Sequence, residues 1–243
     1  MITIKQIAEK SMTEEKRRSA KNDIFAFYIG RPLSYILTIP FLYTNIKPNT
    51  VSLISFIPQI IGFVLFCVTH SISGAIAGWF LFFLWNLLDG VDGNIARFKR
   101  EFSRLGSVYD AASGYMACAL TFFSMGIAAA HMPGVFSQIL HLDRELLIIA
   151  GGLSGIFTLF PRLVLHKAKT ATGGEDIGED LMDREHYDLF HIVALNLKSV
   201  TGGAQALMLV AIVAGITDLY TICYFFFNML VMLVSLRSIL KEK

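Results

Sequence analysis

From Pro48 to Leu88 the chain runs for 41 residues without an Asp, Glu, Lys or Arg. A bilayer core takes about 20 apolar residues per helical crossing, so a stretch of this length is two crossings and a turn. The only polar break in it is His70-Ser71-Ile72-Ser73-Gly74. That break predicts a tight turn between span 1, at about 49–69, and span 2, at about 74–97. Charged residues make up 16% of the chain, against roughly 25% in soluble domains. A soluble globule is thereby excluded, and the whole chain reads as a polytopic membrane protein.

The remaining apolar runs place span 3 at about 105–130, span 4 at about 145–165, span 5 at about 201–217 and span 6 at about 219–236, with a turn at Asp218. Residues 131–143 form a loop without Lys or Arg until Arg144, and 170–200 form the longest polar loop. Phe27–Lys47 is apolar and aromatic but interrupted by Pro32 and Pro40, which suits a helix lying in the interface better than a span. The expected fold is all-α: a polytopic membrane bundle of six transmembrane helices plus an N-terminal interfacial amphipathic helix. It is read as one domain over 1–243, with 1–47 as tail and interfacial helix and 48–243 as the bundle. Residues 1–23 are polar and show no cleavable signal; they suit a solvated tail or one whose Lys16, Arg17, Arg18 and Lys21 touch anionic lipid. Lys and Arg cluster before span 1, between spans 2 and 3, between 4 and 5, and after 6. The positive-inside rule then puts both termini on the cytoplasmic side of a cell membrane. Cys67, Cys118 and Cys223 lie singly in apolar runs and read as buried small hydrophobes.

Against this background, three acids stand out. Asp89 and Asp92 end the second apolar run and, at i and i+3, share a helix face. Asp110 opens the next run and returns to the same level after a basic connector. An ionisable residue inside a membrane span is a functional hypothesis by default. Three carboxylates with no soft ligand beside them suit a hard divalent cation, Mg²⁺ or Mn²⁺. Two such ions about 3.5–4 Å apart can clamp both sides of a phosphoryl displacement.

The spacing is more specific. Asp89, Asp92-Gly93, Ala96-Arg97, Gly106 and Asp110 fit D-x2-D-G-x2-A-R-x8-G-x3-D-x3-D at every position but the last. This pattern resembles that of the CDP-alcohol phosphatidyltransferase family. The flanks Arg31-Pro32 and Lys47-Pro48-Asn49-Thr50-Val51-Ser52 are similar to stretches that precede it. The resemblance implies a membrane transferase of phospholipid or glycolipid synthesis. Such an enzyme moves a phosphatidyl group from a CDP-linked lipid, or a phospho-alcohol from a CDP-alcohol, to an acceptor and releases CMP. It implies metal binding by Asp89, Asp92 and Asp110, and a nucleotide pocket at Asn49, Ser52, Gly90, Gly93, Ala96, Arg97 and Gly106. It also implies a homodimer among membrane lipids. Each residue keeps a plainer reading: Asn49 as a helix cap, the glycines as helix-packing sites, and Arg97 as a side chain snorkelling to the interface.

The last motif position, where the family has its proposed general base, is Gly114. Glycine neither takes a proton nor holds a metal. Transfer then requires another base or an acceptor that needs none; the alternative is a catalytically silent protein that binds CDP or lipid. Arg162, near the end of span 4, can hold an anionic acceptor or serve as a positive-inside anchor, and Lys198 has the same two readings. The loop cluster Asp183-Arg184-Glu185-His186 reads as solvated, with His186 as a possible replacement base. Gly151-Gly152 and Gly202-Gly203 read as packing sites, and Tyr224–Phe227 as a face toward lipid or a partner. Nucleic-acid binding has no support, and a transporter is disfavoured because the acids sit at one face rather than at the midplane.

Overall fold

The computed structural model describes residues 2–171 and 189–241. The cluster Asp183–His186 lies outside them. The described residues are helical throughout, without a strand. In order they form α1 (Ile4–Ser11), α2 (Glu14–Ala20), a π-helical turn (Ala26–Gly30), α3 (Arg31–Leu42), α4 (Pro48–Val68) and α5 (Ile72–Lys99). There follow α6 (Gly106–His131), the short α7 (Val135–Ile139), α8 (Arg144–Ala171), α9 (Leu189–Lys198), α10 (Gly203–Ala214) and α11 (Thr217–Leu240). Five of these, α4, α5, α6, α8 and α11, are long and apolar enough to cross a membrane. Taken as one broken crossing, α9 and α10 make the sixth. The protein is an all-α polytopic membrane bundle.

Span 5 is the main departure from the expected outline. It is not one straight helix over 201–217 but a pair bent by 65° between Lys198 and Gly203. The break covers residues 199–202, where Thr201 and Gly202 carry little helix propensity, and Gly203 opens α10. The following turn comes earlier than expected, at Gly215, whose φ of 68° only glycine adopts freely. Asp218 is therefore inside the first turn of α11 and buried.

The chain divides into two compact units. The first comprises Met1–Val64, Ala77–Ala117 and Tyr187–Leu207. In it α1 is seated rather than free. Thr3 and Gln6 form a capping box, Ile7 is fully buried with Tyr35, Leu42, Val51, Leu88, Val91 and Ile95, and Lys10 lies 4.1 Å over the Phe98 ring. Pro32 does not interrupt α3, because in the first turn its missing N–H had no helical partner to lose. Asn94 of α5 donates to Thr38 Oγ1 (3.1 Å) and Ser34 Oγ (3.4 Å), which docks the buried stripe of α3 onto α5.

The second unit comprises Leu65–Ile76, Cys118–His186 and Met208–Lys243. Here α6 and α8 approach to backbone contact. A Cβ on Gly151 would come 2.7 Å from Gly126 Cα, and one on Gly155 would come 2.6 Å from the Ala119 carbonyl oxygen. This is small-residue packing of the kind membrane helices use; Gly152, with nothing nearer than 3.8 Å, takes no part. Asn228 of α11 donates to Ser154 Oγ (2.8 Å), adding a polar tie across α8. Two expectations are corrected here. Tyr224 does not face outward but is buried against Phe122 and Tyr220, although Phe226 of the same run is exposed. Of the cysteines only Cys118 is buried; Cys67 and Cys223 sit on outward helix faces.

Gly151→Val should lower the thermal midpoint of the detergent-purified protein, consistent with an overpacking cost of about 1–3 kcal/mol. Gly152→Ala should leave it unchanged. Equal midpoints for Gly151→Val and wild type would show that the α6–α8 contact is looser than described.

Candidate active site

At 28 residues α5 is longer than one crossing requires. Counting about 20 residues from Ile72 brings the bilayer boundary close to Val91, so Asp89 and Asp92 fall where the helix leaves the hydrocarbon. A Schellman-type end then turns the chain: Arg100 has φ 57° and the Glu101 N–H donates to the Ala96 carbonyl over 3.0 Å. The connector is pinned to α4 by Asn49 and Ser103, which exchange hydrogen bonds of 2.8 and 3.1 Å. This reversal returns Asp110, in the second turn of α6, to the level of Asp89 and Asp92. One carboxylate oxygen from each of the three lies within 4.8 Å of the others.

Repulsion between such charges is of order 3 kcal/mol per pair at an effective dielectric near 20. The protein meets part of this directly. Ser52 Oγ donates to Asp92 Oδ2 over 2.5 Å. Asp89 Oδ1, by contrast, is buried without any hydrogen bond. An all-oxygen donor set with one orphaned buried oxygen fits a hard divalent cation.

The three acids line a cavity of about 270 Å³ with Ala26, Gly30, Arg31, Ser34, Tyr35, Asn86, Gly90, Gly93, Asn94, Arg97 and Thr201. Two guanidiniums thus share a polar cavity with three carboxylates, a combination suited to an anionic ligand carrying a metal. The glycines have separate reasons. A Cβ on Gly90 would come 2.8 Å from Ser34 Cβ, so glycine lets α3 close on α5. A Cβ on Gly93 would come 2.7 Å from Arg97 Nη2, so glycine leaves room for the Arg97 side chain to fold back along its own helix.

The residues singled out in the sequence therefore fall into three groups. Asp89, Asp92, Asp110, Gly90, Gly93 and Arg97 line the cavity, and Ser52 reaches it through Asp92. Asn49, Gly106 and Ala96 belong to the connector. Asn49 is the second residue of α4, not its cap; a Cβ on Gly106 would meet Ser103 Oγ at 3.2 Å; and Ala96 caps α5 by its carbonyl. Arg162 lies on α8 in the second unit, and Lys198 is exposed at the end of α9. Cavity residues not singled out are Ala26, Gly30, Ser34, Tyr35, Asn86, Asn94 and Thr201. For Asn86 and Asn94 the signal was available, since an amide inside an apolar run demands a partner.

A family model for CDP-alcohol phosphatidyltransferase matches residues 45–174, more than half of the 243-residue chain. The chain belongs to this family. A search of curated proteins gave no match. The CDP-alcohol phosphatidyltransferase chain is accordingly an integral membrane transferase of the phosphotransferase class, and its three acids form a cluster able to bind metal. The motif position that departs from the family, Gly114, lies one turn beyond Asp110 on α6, and a Cβ there would meet nothing within 4 Å.

Manganese titration followed by electron paramagnetic resonance reads this cluster without any substrate. Asp89→Asn should weaken binding at least tenfold. Ser52→Ala, which removes only the support of Asp92, should weaken it by roughly 10–100-fold. Wild-type affinity in both would rule the cluster out as the metal site.

Proposed function

We propose that the protein transfers a phosphatidyl or phospho-alcohol group from a CDP-linked donor to an acceptor, releasing CMP, as a step of phospholipid or glycolipid synthesis. The observation that carries this is the convergence of Asp89, Asp92 and Asp110, one with a buried oxygen lacking any partner, on a cavity that also holds Arg31 and Arg97. Asp89, Asp92 and Asp110 would hold Mg²⁺ or Mn²⁺, as a pair of ions. When bound there, the metal would supply positive charge toward the pyrophosphate and the leaving CMP. Arg97, folded over Gly93, faces the same phosphates, and Ser52 keeps Asp92 turned toward them. In the reaction an acceptor oxygen attacks the phosphorus on the far side of the pyrophosphate bridge. The bridging P–O bond breaks, and CMP departs with its electron pair.

The distribution of Lys and Arg supports a cavity and termini on the cytoplasmic side of the cell membrane. The chain works as one CDP-alcohol phosphatidyltransferase domain, residues 1–47 serving as tail and interfacial helix, and pairs as a homodimer. Asn49, Ala96 and Gly106 contribute to the nucleotide pocket through the connector they hold.

At Gly114 there is no side chain to take the acceptor's proton. The acceptor is then one that is already ionised, such as a phosphate or carboxylate, or one that carries its own base. The same residue favours a second reading, a catalytically silent protein that binds the CDP-linked ligand.

The test is metal-dependent CMP release from CDP-diacylglycerol by the purified protein across a panel of acceptors. Release is expected with ionised acceptors and should be lost in Asp110→Asn. CDP binding without release from any acceptor would support the silent reading. Gly114→Asp separates the two further. The open space beside Gly114 admits the carboxylate, and activity toward neutral alcohols should rise by roughly 10²–10⁴-fold. No gain at all would mean that more than the base has been lost.

A further inference from the structure

Residues 22–30 lead into α3, and Ala26 and Gly30 among them, with Arg31 at the start of α3, form one wall of the carboxylate cavity. Residues 26–30 are a π-helical turn, a rare geometry that recurs at functional sites. This arm is fixed from far along the chain, by the elbow between α9 and α10.

Asn196, in the last turn of α9, uses both ends of its amide. Its Nδ2 donates to the Asn22 carbonyl (2.7 Å) and to the Ile192 carbonyl of its own helix (2.8 Å), and its Oδ1 accepts from the Ile24 N–H (3.0 Å). Ser199 Oγ donates to Asp23 Oδ2 over 2.5 Å. Asp23 Oδ1 is buried without a hydrogen bond at a point that a Cβ on Gly202 would strike. Glycine therefore admits the carboxylate, beside the N-terminus of α10, whose partial positive charge favours it. A Cβ on Gly203 would come 2.5 Å from the Asn196 carbonyl oxygen, so the second glycine serves the same close approach.

The elbow is anchored on its other side to α5. Asn86 Nδ2 donates to the Thr201 carbonyl (2.8 Å) and to Gln205 Oε1 (2.6 Å), and Trp79 Nε1 donates to the Gln205 carbonyl (2.8 Å). Asn86 and Thr201 line the cavity; Asp23, Asn196 and Ser199 do not. The break in the fifth span thus ties the arm that carries Arg31 to the helix that carries Asp89 and Asp92.

We propose that Asp23, Asn196 and Ser199 are positioning residues. They latch the arm to the elbow so that Arg31 faces the anionic head of the ligand in the carboxylate cavity, and they set the affinity for that ligand. The inference rests on the reading of that ligand as a CDP-linked donor. A misplacement of about 1 Å in such a contact is enough to cost most of its benefit.

The experiment uses the full chain in detergent with Mg²⁺, measuring CDP binding and the donor KM and kcat. Asn196→Ala and Asp23→Ala should weaken CDP binding and raise KM about tenfold or more, with kcat within about threefold of wild type. Asp23→Asn, which still accepts from Ser199, should recover most of the loss. Combining Asn196→Ala with Arg31→Ala should bind no more weakly than Arg31→Ala alone, because the latch acts through Arg31. Additive losses, or an unchanged KM, would overturn the proposal. A second measurement does not depend on the ligand. With Cys67, Cys118 and Cys223 replaced by alanine, Ala26→Cys reports exposure of the arm to a water-soluble maleimide. Adding Asn196→Ala should raise its labelling rate by roughly fivefold or more if the latch is the main restraint, and an unchanged rate sinks the latch. Wild-type protein that binds no CDP overturns the transferase reading instead, and the labelling rate alone then decides whether these residues hold the wall.

Discussion

Like charges do not gather at the edge of a membrane unless something of opposite charge belongs between them. Asp89, Asp92 and Asp110 present oxygens within 4.8 Å of one another, and Asp89 Oδ1 has no donor at all. Much of the first unit is arranged around this unfavourable placement. The extra length of α5 carries the acids to the bilayer boundary. The αL residue at Arg100 reverses the chain so that Asp110 meets them, and Ser52 on α4 satisfies one carboxylate oxygen. Each element alone would be unremarkable in a helical bundle. Together they leave a deficit of positive charge that a bound cation offsets.

How much of this was legible in the sequence follows from how local each cause is. Span positions were readable to within a few residues for α4, α5 and α6, because a run without charges has one physical meaning. The convergence of the three carboxylates was readable because i, i+3 spacing and a short connector fix a geometry almost by themselves. The fifth span was misread as straight, since hydropathy records composition and not the bend at Thr201-Gly202-Gly203. Tyr224 was read as facing outward because aromatic residues suit either side of a membrane helix; its burial against Tyr220, one turn earlier on α11, depends also on Phe122 from α6. The arm was the least readable part. Nothing near Asn22 or Asp23 hints that their partners lie more than 170 residues away.

That separation also divides labour within the cavity. The family model begins at residue 45 and takes in the acids and Arg97. The wall formed by Ala26, Gly30, Arg31, Ser34 and Tyr35 precedes it, and the elbow residue Thr201 follows it. The part of the chain that the family model covers supplies the three acids of the cluster able to bind metal, together with Arg97. The flanking parts shape the remainder of the same cavity.

Gly114 belongs to the part that the family model covers, and its surroundings bear on what replaced the missing carboxylate. The adjacent hydroxyl cannot substitute. Ser113 Oγ is fully buried, accepts from Trp85 Nε1 (2.8 Å) and Gln59 Nε2 (3.1 Å), and shares its remaining bond with Ser55 Oγ (2.8 Å). Ser55 in turn donates to the Ser52 carbonyl (2.7 Å). This chain of hydrogen bonds holds α4, α5 and α6 together beneath the carboxylates, although Gln59 Oε1 has no partner in it; freeing Ser113 as a base would strip further buried groups of their partners. The space beside Gly114, in contrast, is open to any group a ligand brings. Asp110 is thus followed on α6 by a committed hydroxyl at Ser113 and open space at Gly114, and neither position supplies a group free to take a proton.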